Sequence, residues 1–549
     1  MKRFKSPLQL EQGGHVSVPR NSFDMSYHTM FTSPAGLLLP TYVQDVQPGD
    51  YLKLDVANFT RTKPVNTAAF SRLKEITKFY FVPYRLLWQN FNQFYTGVSD
   101  IATSYTPQNG IPNTVPYLTI DQIIAALSNS DNDIFGMSMA SFAERLLDLC
   151  GFPVSNDSSV TTLQMYKNIK QKNLDAGRAQ PTFNPFRFLA YQRIFFDFYR
   201  NTDYTVNEPR SYNIDNSAGG TVVDAMNAKF MFYPQYSLWH KDRITSVKPS
   251  PLSVMQATDA VGATNGEGLV RPSNYLTRNS TDTLVSASSE LLNISQLRAA
   301  MAYDRLARLT MLSPKTYEAQ LKAQFGVTPD NCDYCSVRYL GSYDSTINIG
   351  EVTASAAGET GTGSKSVLGQ LAGKGISQSE RNGVIKANFS EPGIVMGIHH
   401  IQPYSEYDSN RLDDFNKKLN RNDFYMSVYD NLGLQPLLRG QVTIPADGNA
   451  DINSVVGYQA RYLEYKTRVD EVHGQFQSKQ SLSQWCMPRS TQLASGLIAG
   501  NSLYVSPKIT DTLFALGYDG EQESDPFLCH YRYDATLVRN MSMLGVPTL

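Results

Sequence analysis

The residues of this chain best able to do chemistry fall into small groups, and spacing decides what each can do. The stretch GETGTGSKS at 358–366 has the glycines, Lys365 and Ser366 of a phosphate-binding loop. Such a loop needs Gly, four residues, then Gly-Lys-Ser, so that backbone N–H groups and the lysine converge on the phosphates. Here Ser364 separates Gly363 from Lys365, and the preceding VTASAAGE makes a poor buried strand. A flexible linker over 354–383 is therefore expected. Cys332 and Cys335 form one C-x-x-C, but a structural zinc site needs a second pair, and Cys150, Cys486 and Cys529 stand alone. His399 and His400 are adjacent, so on a strand they face opposite ways. Neither H-E-x-x-H nor G-x-S-x-G occurs. Asp413 and Asp414 lie in a run with Arg411, Lys417 and Lys418, the pattern of a solvated helix face. Nothing here predicts catalysis, a metal or a cofactor. Glycosidase carboxylates have no recognisable spacing, so a glycan-binding or glycan-cleaving β-sandwich stays open as an alternative.

Two basic groups could meet a polyanion. Lys2, Arg3 and Lys5 cluster near the start of the sequence. Arg298, Arg305 and Arg308 fall within about 80° of one another if ISQLRAAMAYDRLARLTML is a helix. Phosphate contact is the functional reading and a solvated surface the bland one. Overall charge is balanced, with 49 Lys plus Arg against 50 Asp plus Glu, so the chain is not one that condenses nucleic acid alone. Only 18% of residues are charged, while Tyr (32) and Phe (27) are abundant. Charge-poor, hydroxyl-rich surfaces suit wide permanent contacts. Five cysteines form no disulfide framework, which fits a reducing compartment. The opening MKRFKSPLQLEQGGHVSVPR has no apolar stretch behind its basic residues, so no secretory signal is expected, and no run is long enough to span a membrane.

The elements that must position these groups are mixed. Residues 1–34 have no sustained period and are expected to be an extended arm. After the Pro48-Gly49-Asp50 turn signal, Leu52, Leu54 and Val56 alternate with Lys53 and Asp55, as in a half-buried strand. EITKFYFVPYRLLW (75–88) is apolar on both faces and predicts a more deeply buried one. SMASFAERLLDLCGF predicts a helix stopped by Gly151. NPFRFLAYQRIFFDFYRNTD (184–203) holds seven aromatic residues in twenty. With Asn184 as N-cap and Pro185 at the first position, Phe188, Tyr191, Phe195, Phe198 and Tyr199 share an arc of about 100°. Arg193, Asp197 and Arg200 point away from it. Residues 249–292 are small, polar and period-free, so they predict a long peripheral loop. Later strand-like runs are GIVMGIHHIQP, YQARYLEYKTRVDEV, LYVSPK and FLCHYRYDATLV. In the last, Phe527, Cys529, Tyr531 and Tyr533 oppose His530, Arg532 and Asp534. Strands early, a long mixed middle and strands late predict one β-sandwich with insertions.

Several segments together resemble the major capsid protein of microviruses, most closely the gokushovirus-like group. They are LLLPTYVQDVQPGDYLKL, FYFVPYRLLWQNF, AYQRIFFDFYRNTD, ISQLRAAMAYDRLAR, FGVTPDN with YLGSYDSTINIGEV, and GYQARYLEYKTRVDEVHGQF, in the family's order. The stretch 92–180 departs from the family pattern. The resemblance implies a mainly β fold, a single eight-stranded jelly roll over 1–549, with inter-strand insertions at 92–224 and 249–334. It implies self-assembly into the simplest icosahedral shell around circular single-stranded DNA, assembled in bacterial cytoplasm. Expected partners are identical copies, the genome without sequence specificity, a small basic DNA-binding protein, minor virion proteins and a host receptor. In the family, an insertion corresponding to 249–292 projects at a threefold axis. Thr258, Thr264, Asn265, Arg271, Asn274 and Tyr275 are accordingly the candidate host-attachment residues. The aromatic helix is expected against the outer face or side of the jelly roll.

Overall fold

The computed structural model of the protein describes residues 19–67, 69–70, 72–96, 114–250, 294–313, 317–326, 336–353, 371–430, 433–445, 448, 451–489, 500–514 and 517–543. The chain opens with strands β1 (Asn21–Asp24), β2 (Tyr27–Ser33), β3 (Leu39–Val46), β4 (Tyr51–Thr62) and β5 (Leu73–Pro83). A long excursion follows. It contains α1 (Phe91–Thr96), β6 (Leu118–Thr119), α2 (Ile120–Leu127), α3 (Met139–Leu149), α4 (Thr162–Asp175), β7 (Thr182–Phe183), α5 (Phe186–Ile194), α6 (Ala225–Phe230), α7 (Ile294–Leu312) and α8 (Tyr317–Phe325). The sheet resumes with β8 (Arg338–Thr353), β9 (Leu371–Asn388) and β10 (Gly393–Pro403). A second excursion carries four short strands: β11 (Glu406–Asp408), β12 (Leu434–Leu438), β13 (Val455–Ala460) and β14 (Asp470–Val472). Strand β15 (Phe527–Arg539) closes the fold.

The principal strands form one antiparallel sheet, ordered β1-β15-β4-β9-β8-β5-β10-β3, with β2 also on β15. It curls over between β9 and β8. Strands β1/β2, β15, β4 and β9 make one layer; β3, β10, β5 and β8 make the other. β1 and β2 occupy successive stretches of one edge of β15, opposite 536–539 and 527–533. Between them Met25 and Ser26 bulge out while still bonding Ala535. Counted as one interrupted strand, they complete the eight strands of a jelly roll. The extended arm expected over 1–34 is thus strand-paired from Asn21 to Ser33. Its pattern was hidden because β2 is a mostly exposed edge strand whose inward side is short, with Tyr27 against Tyr42 and Phe31 against Tyr531.

Alternation places the core. β4 buries Leu52, Leu54 and Val56 between the layers, and β15 buries Phe527, Cys529, Tyr531 and Tyr533, as their patterns require. β10 is buried on both faces because the first excursion covers its outer side. There Gly397 lies so close to Phe79 that a Cβ would stand 2.7 Å from the ring. Helix α3 starts at Ser138, whose hydroxyl accepts Ser141 N–H, and ends where Gly151 takes φ +83°.

Several expectations are corrected. Residues 371–383 of the expected linker belong to β9, since pairing with β4 and β8 supplies order that their glycine-rich sequence does not announce. The insertions expected at 92–224 and 249–334 both lie in the first excursion, but the second, Tyr404 to Pro526, was not foreseen. Within it YQARYLEYKTRVDEV supplies only β13 and β14, and LYVSPK is not a strand. The pair Asp413–Asp414 is no solvated helix face, because Asp414 is buried against Arg243 and Gln441.

Candidate functional site

A cluster of buried polar and titratable groups lies between the two layers and comes from six strands. Glu75 of β5 is wholly buried. Its Oε1 accepts from Tyr531 OH at 2.7 Å and Thr60 Oγ1 at 2.9 Å, and lies 3.1 Å from His399 Nε2. Its Oε2 accepts from Asn58 Nδ2 at 2.8 Å. Asn58 in turn reaches Ser345 and Ser377, and accepts the Tyr343 hydroxyl at 2.6 Å. Burial works against the carboxylate, but the bonds from His399, Tyr531 and Thr60 outweigh it and hold Glu75 below its ordinary value. Burial pushes the Tyr531 phenol and the Cys529 thiol well up, so both stay protonated.

Glu75, His399 and Cys529 bring one ligand-type atom each to within 4.8 Å of one another. In this arrangement the carboxylate oxygens are already occupied by hydrogen bonds from Tyr531, Thr60 and Asn58. The chemistry this arrangement performs is structural: it joins both layers through one charged acceptor. Sequence reasoning missed it because Glu75, His399 and Cys529 are separated by more than a hundred residues each, and only strand pairing assembles them. His400 faces the other way, as adjacency on a strand requires. It is buried beneath the first excursion, edge-on to Tyr199, and desolvation keeps it neutral.

The aromatic helix covers the outer face of β5 and β10. Asn184 accepts Phe186 N–H at 2.8 Å, just outside the helix, while Pro185 itself takes the cap position. Tyr191 OH donates to Leu38 O, and Gln192 Nε2 donates to Met231 and Tyr233 carbonyls. Burial extends beyond the predicted face, with Phe186, Ile194 and Phe196 enclosed as well as Phe188, Tyr191, Phe195 and Tyr199. A π-helical turn over Phe195–Tyr199 changes the angle per residue, which turns Phe198 toward solvent. The rings therefore serve the subunit's own core.

Among the other candidates, Arg298, Arg305 and Arg308 all lie on α7. Arg298 and Arg305 are exposed, while Arg308 is half-buried and paired with Asp304. Lys2, Arg3 and Lys5 lie outside the described residues, as do Thr258, Thr264, Asn265, Arg271, Asn274 and Tyr275. So do Cys332 and Cys335. No helix among the described residues is long and apolar enough to cross a membrane.

A jelly roll with two long excursions, whose buried polar cluster is closed and structural, has the architecture used by viral shell proteins. Residues 13–123 and 178–549 match the family model described as capsid protein (F protein). The chain belongs to that family, and the unmatched 124–177 falls inside the stretch that departs from the gokushovirus-like pattern. It is similar to capsid protein VP1 of Chlamydia phage 1, 24% identical with 97% of this chain and 96% of the relative covered. Capsid protein VP1 of Bdellovibrio phage phiMH2K is also 24% identical, over 86% of this chain and 85% of that protein. VP1 of Spiroplasma virus 4 is 20% identical over the same shares. The family match decides between the classes left open by composition: the chain is a major capsid protein of the microvirus type, a component of a many-copy shell in the virion.

Proposed function

We propose that copies of this chain close into the simplest icosahedral shell, one per asymmetric unit, around a circular single-stranded DNA, without catalysing a reaction. The observation that carries this is the complete eight-stranded jelly roll in a chain matched nearly end to end by phage capsid proteins. Assembly takes place in the bacterial cytoplasm, where the lone cysteines stay reduced. Balanced net charge leaves part of the genome's neutralisation to another component, a small basic protein, with minor virion proteins completing the particle.

Lys2, Arg3 and Lys5 supply non-specific phosphate contacts, with Arg298 and Arg305 as further exposed cations. Particles made by wild-type chain should protect circular single-stranded DNA from nuclease. In the joint Lys2, Arg3 and Lys5 to Ala variant, DNA retention should fall. The slope of log retention against log salt should drop by about two, at ~0.7 per phosphate contact for single strands. Unchanged retention and slope would reduce these residues to solvated charges, and particles without DNA would overturn the genome-enclosing reading.

The 249–292 loop, with Thr258, Thr264, Asn265, Arg271, Asn274 and Tyr275, contributes host attachment from the exterior. Its polar, period-free composition supports a peripheral position. Particles carrying a relative's loop should assemble yet lose adsorption to the original host; an unchanged adsorption rate would remove this role.

A further inference from the structure

The second excursion carries an apolar surface that no other described residue covers. Leu419 and Val428 are each 86% exposed, and Phe415, Phe424, Tyr425 and Tyr465 are 43–50% exposed. Single exposed apolar residues are ordinary, but all of these except Tyr465 fall within 415–428, and three of the rings touch. The Phe415 and Tyr465 ring centres are 5.1 Å apart, and those of Tyr425 and Tyr465 6.0 Å. At ~150–250 Å² per aromatic side chain they offer on the order of 600 Å² of apolar surface. One side of a standard protein interface is about 800 Å².

The backbone beneath is held firmly, which ordinary surface loops are not. Asp414 is anchored in the interior by Arg243. Asp423 accepts the backbone N–H groups of Leu419 and Asn420 at 3.1 and 2.8 Å. The Tyr462 hydroxyl accepts Met426 N–H and donates to the Phe424 carbonyl. Tyr462 itself is buried and sits at φ +58°, a left-handed conformation that a tyrosine adopts only under constraint. Two of the lysines in the patch are paired internally: Lys418 pairs with Glu464 at 2.9 Å and lies 3.9 Å from the Tyr465 ring centre, and Lys466 pairs with Asp430 at 3.0 Å. A surface with its rings outward suits an apolar partner. Rigid presentation also lowers the ordering cost of docking.

We infer that residues 415–430 with Tyr465 form a copy-to-copy contact of the shell, the occupant being a second copy of this chain. This rests on many-copy assembly, the property shared by the capsid family. The area supports it, since a chain destined for a closed shell must bury patches of this size against its neighbours. Leu419 and Val428 are chosen for the test because both are exposed and their apolar side chains make no hydrogen bond.

The doubly substituted Leu419→Asp, Val428→Asp chain should stay soluble with the wild-type circular dichroism spectrum and melting temperature. It should give at least about tenfold fewer particles by gradient sedimentation and electron microscopy. As a second measurement, a benzoylphenylalanine placed at position 428 should on illumination give a covalent adduct of two copies in assembled particles. Normal particle yield from the double variant overturns the contact. So does an adduct of position 428 with DNA or a different protein, or no adduct in intact particles. Wild-type chain that forms no particles in the same preparation would instead sink many-copy assembly, and this contact with it.

Discussion

Replacing Arg145 by Ala is expected to cost the folded subunit about 3–5 kcal/mol, the range for removing one partner of a buried ion pair. Arg145 of α3 donates to both oxygens of Asp525, at 2.6 and 3.0 Å, and the two side chains are 2% and 0% exposed. Thr32 donates to the same carboxylate at 2.7 Å. The pair therefore fastens the first excursion to the start of the last strand and to β2. Burial pushes the Asp525 carboxyl above its ordinary value of 3.8 even with Arg145 beside it, so desolvation is not fully repaid. The joint change Arg145→Met, Asp525→Leu should consequently cost less than about 1 kcal/mol or stabilise. pH gives an independent check. A carboxyl whose pKa is higher folded than unfolded costs stability as pH rises through that interval. The Arg145→Ala loss should thus be full at neutral pH and shrink as pH falls toward 3.8. Urea unfolding of unassembled chain at both pH values measures this. A loss below about 1 kcal/mol at neutral pH, or one equal to that of the joint change, would contradict it.

Glu75→Gln should lower stability by about 3 kcal/mol, although it changes neither size nor shape. The wild-type carboxylate accepts from Tyr531, Thr60 and Asn58 and faces His399. An amide has one acceptor oxygen, so its NH₂ would oppose at least one of these donors in a fully buried site. Because the folded carboxyl is held below its ordinary value of 4.5, its stabilising contribution is complete above that pH and is lost as pH falls through the lower folded value. Wild type should show this acid dependence and Glu75→Gln should lack it. Thermal unfolding across pH decides: equal melting temperatures at neutral pH would show that the network contributes nothing.

The sequence legibly marked those parts whose burial follows a simple local period. β4 and β15 alternate because one side meets the core and the other does not, and GIVMGIHHIQP coincides with β10 from Gly393 to Pro403. Helix α3 was legible through its cap and Gly151. Strands β1 and β2, the glycine-rich start of β9 and the whole second excursion were not, because their order comes from pairing and side-chain anchoring more than from a long apolar face of their own. Phe198 shows the same limit at one residue: a 3.6-residue period assigns it inward, and a π-helical turn sends it outward.

By itself the sequence determined the class of fold, the want of any spaced catalytic motif and the likeness to microvirus capsid proteins, since these depend on residue order and local pattern alone. Tertiary structure decided that Glu75, Asn58, His399 and Tyr531 share one network, that Arg145 meets Asp525, and that Asp414 is buried. It also decided that Leu419 and Val428 are left bare above a constrained Tyr462. Each of these joins residues distant along the chain, and an electrostatic or packing energy depends on separation in space, which no local period encodes.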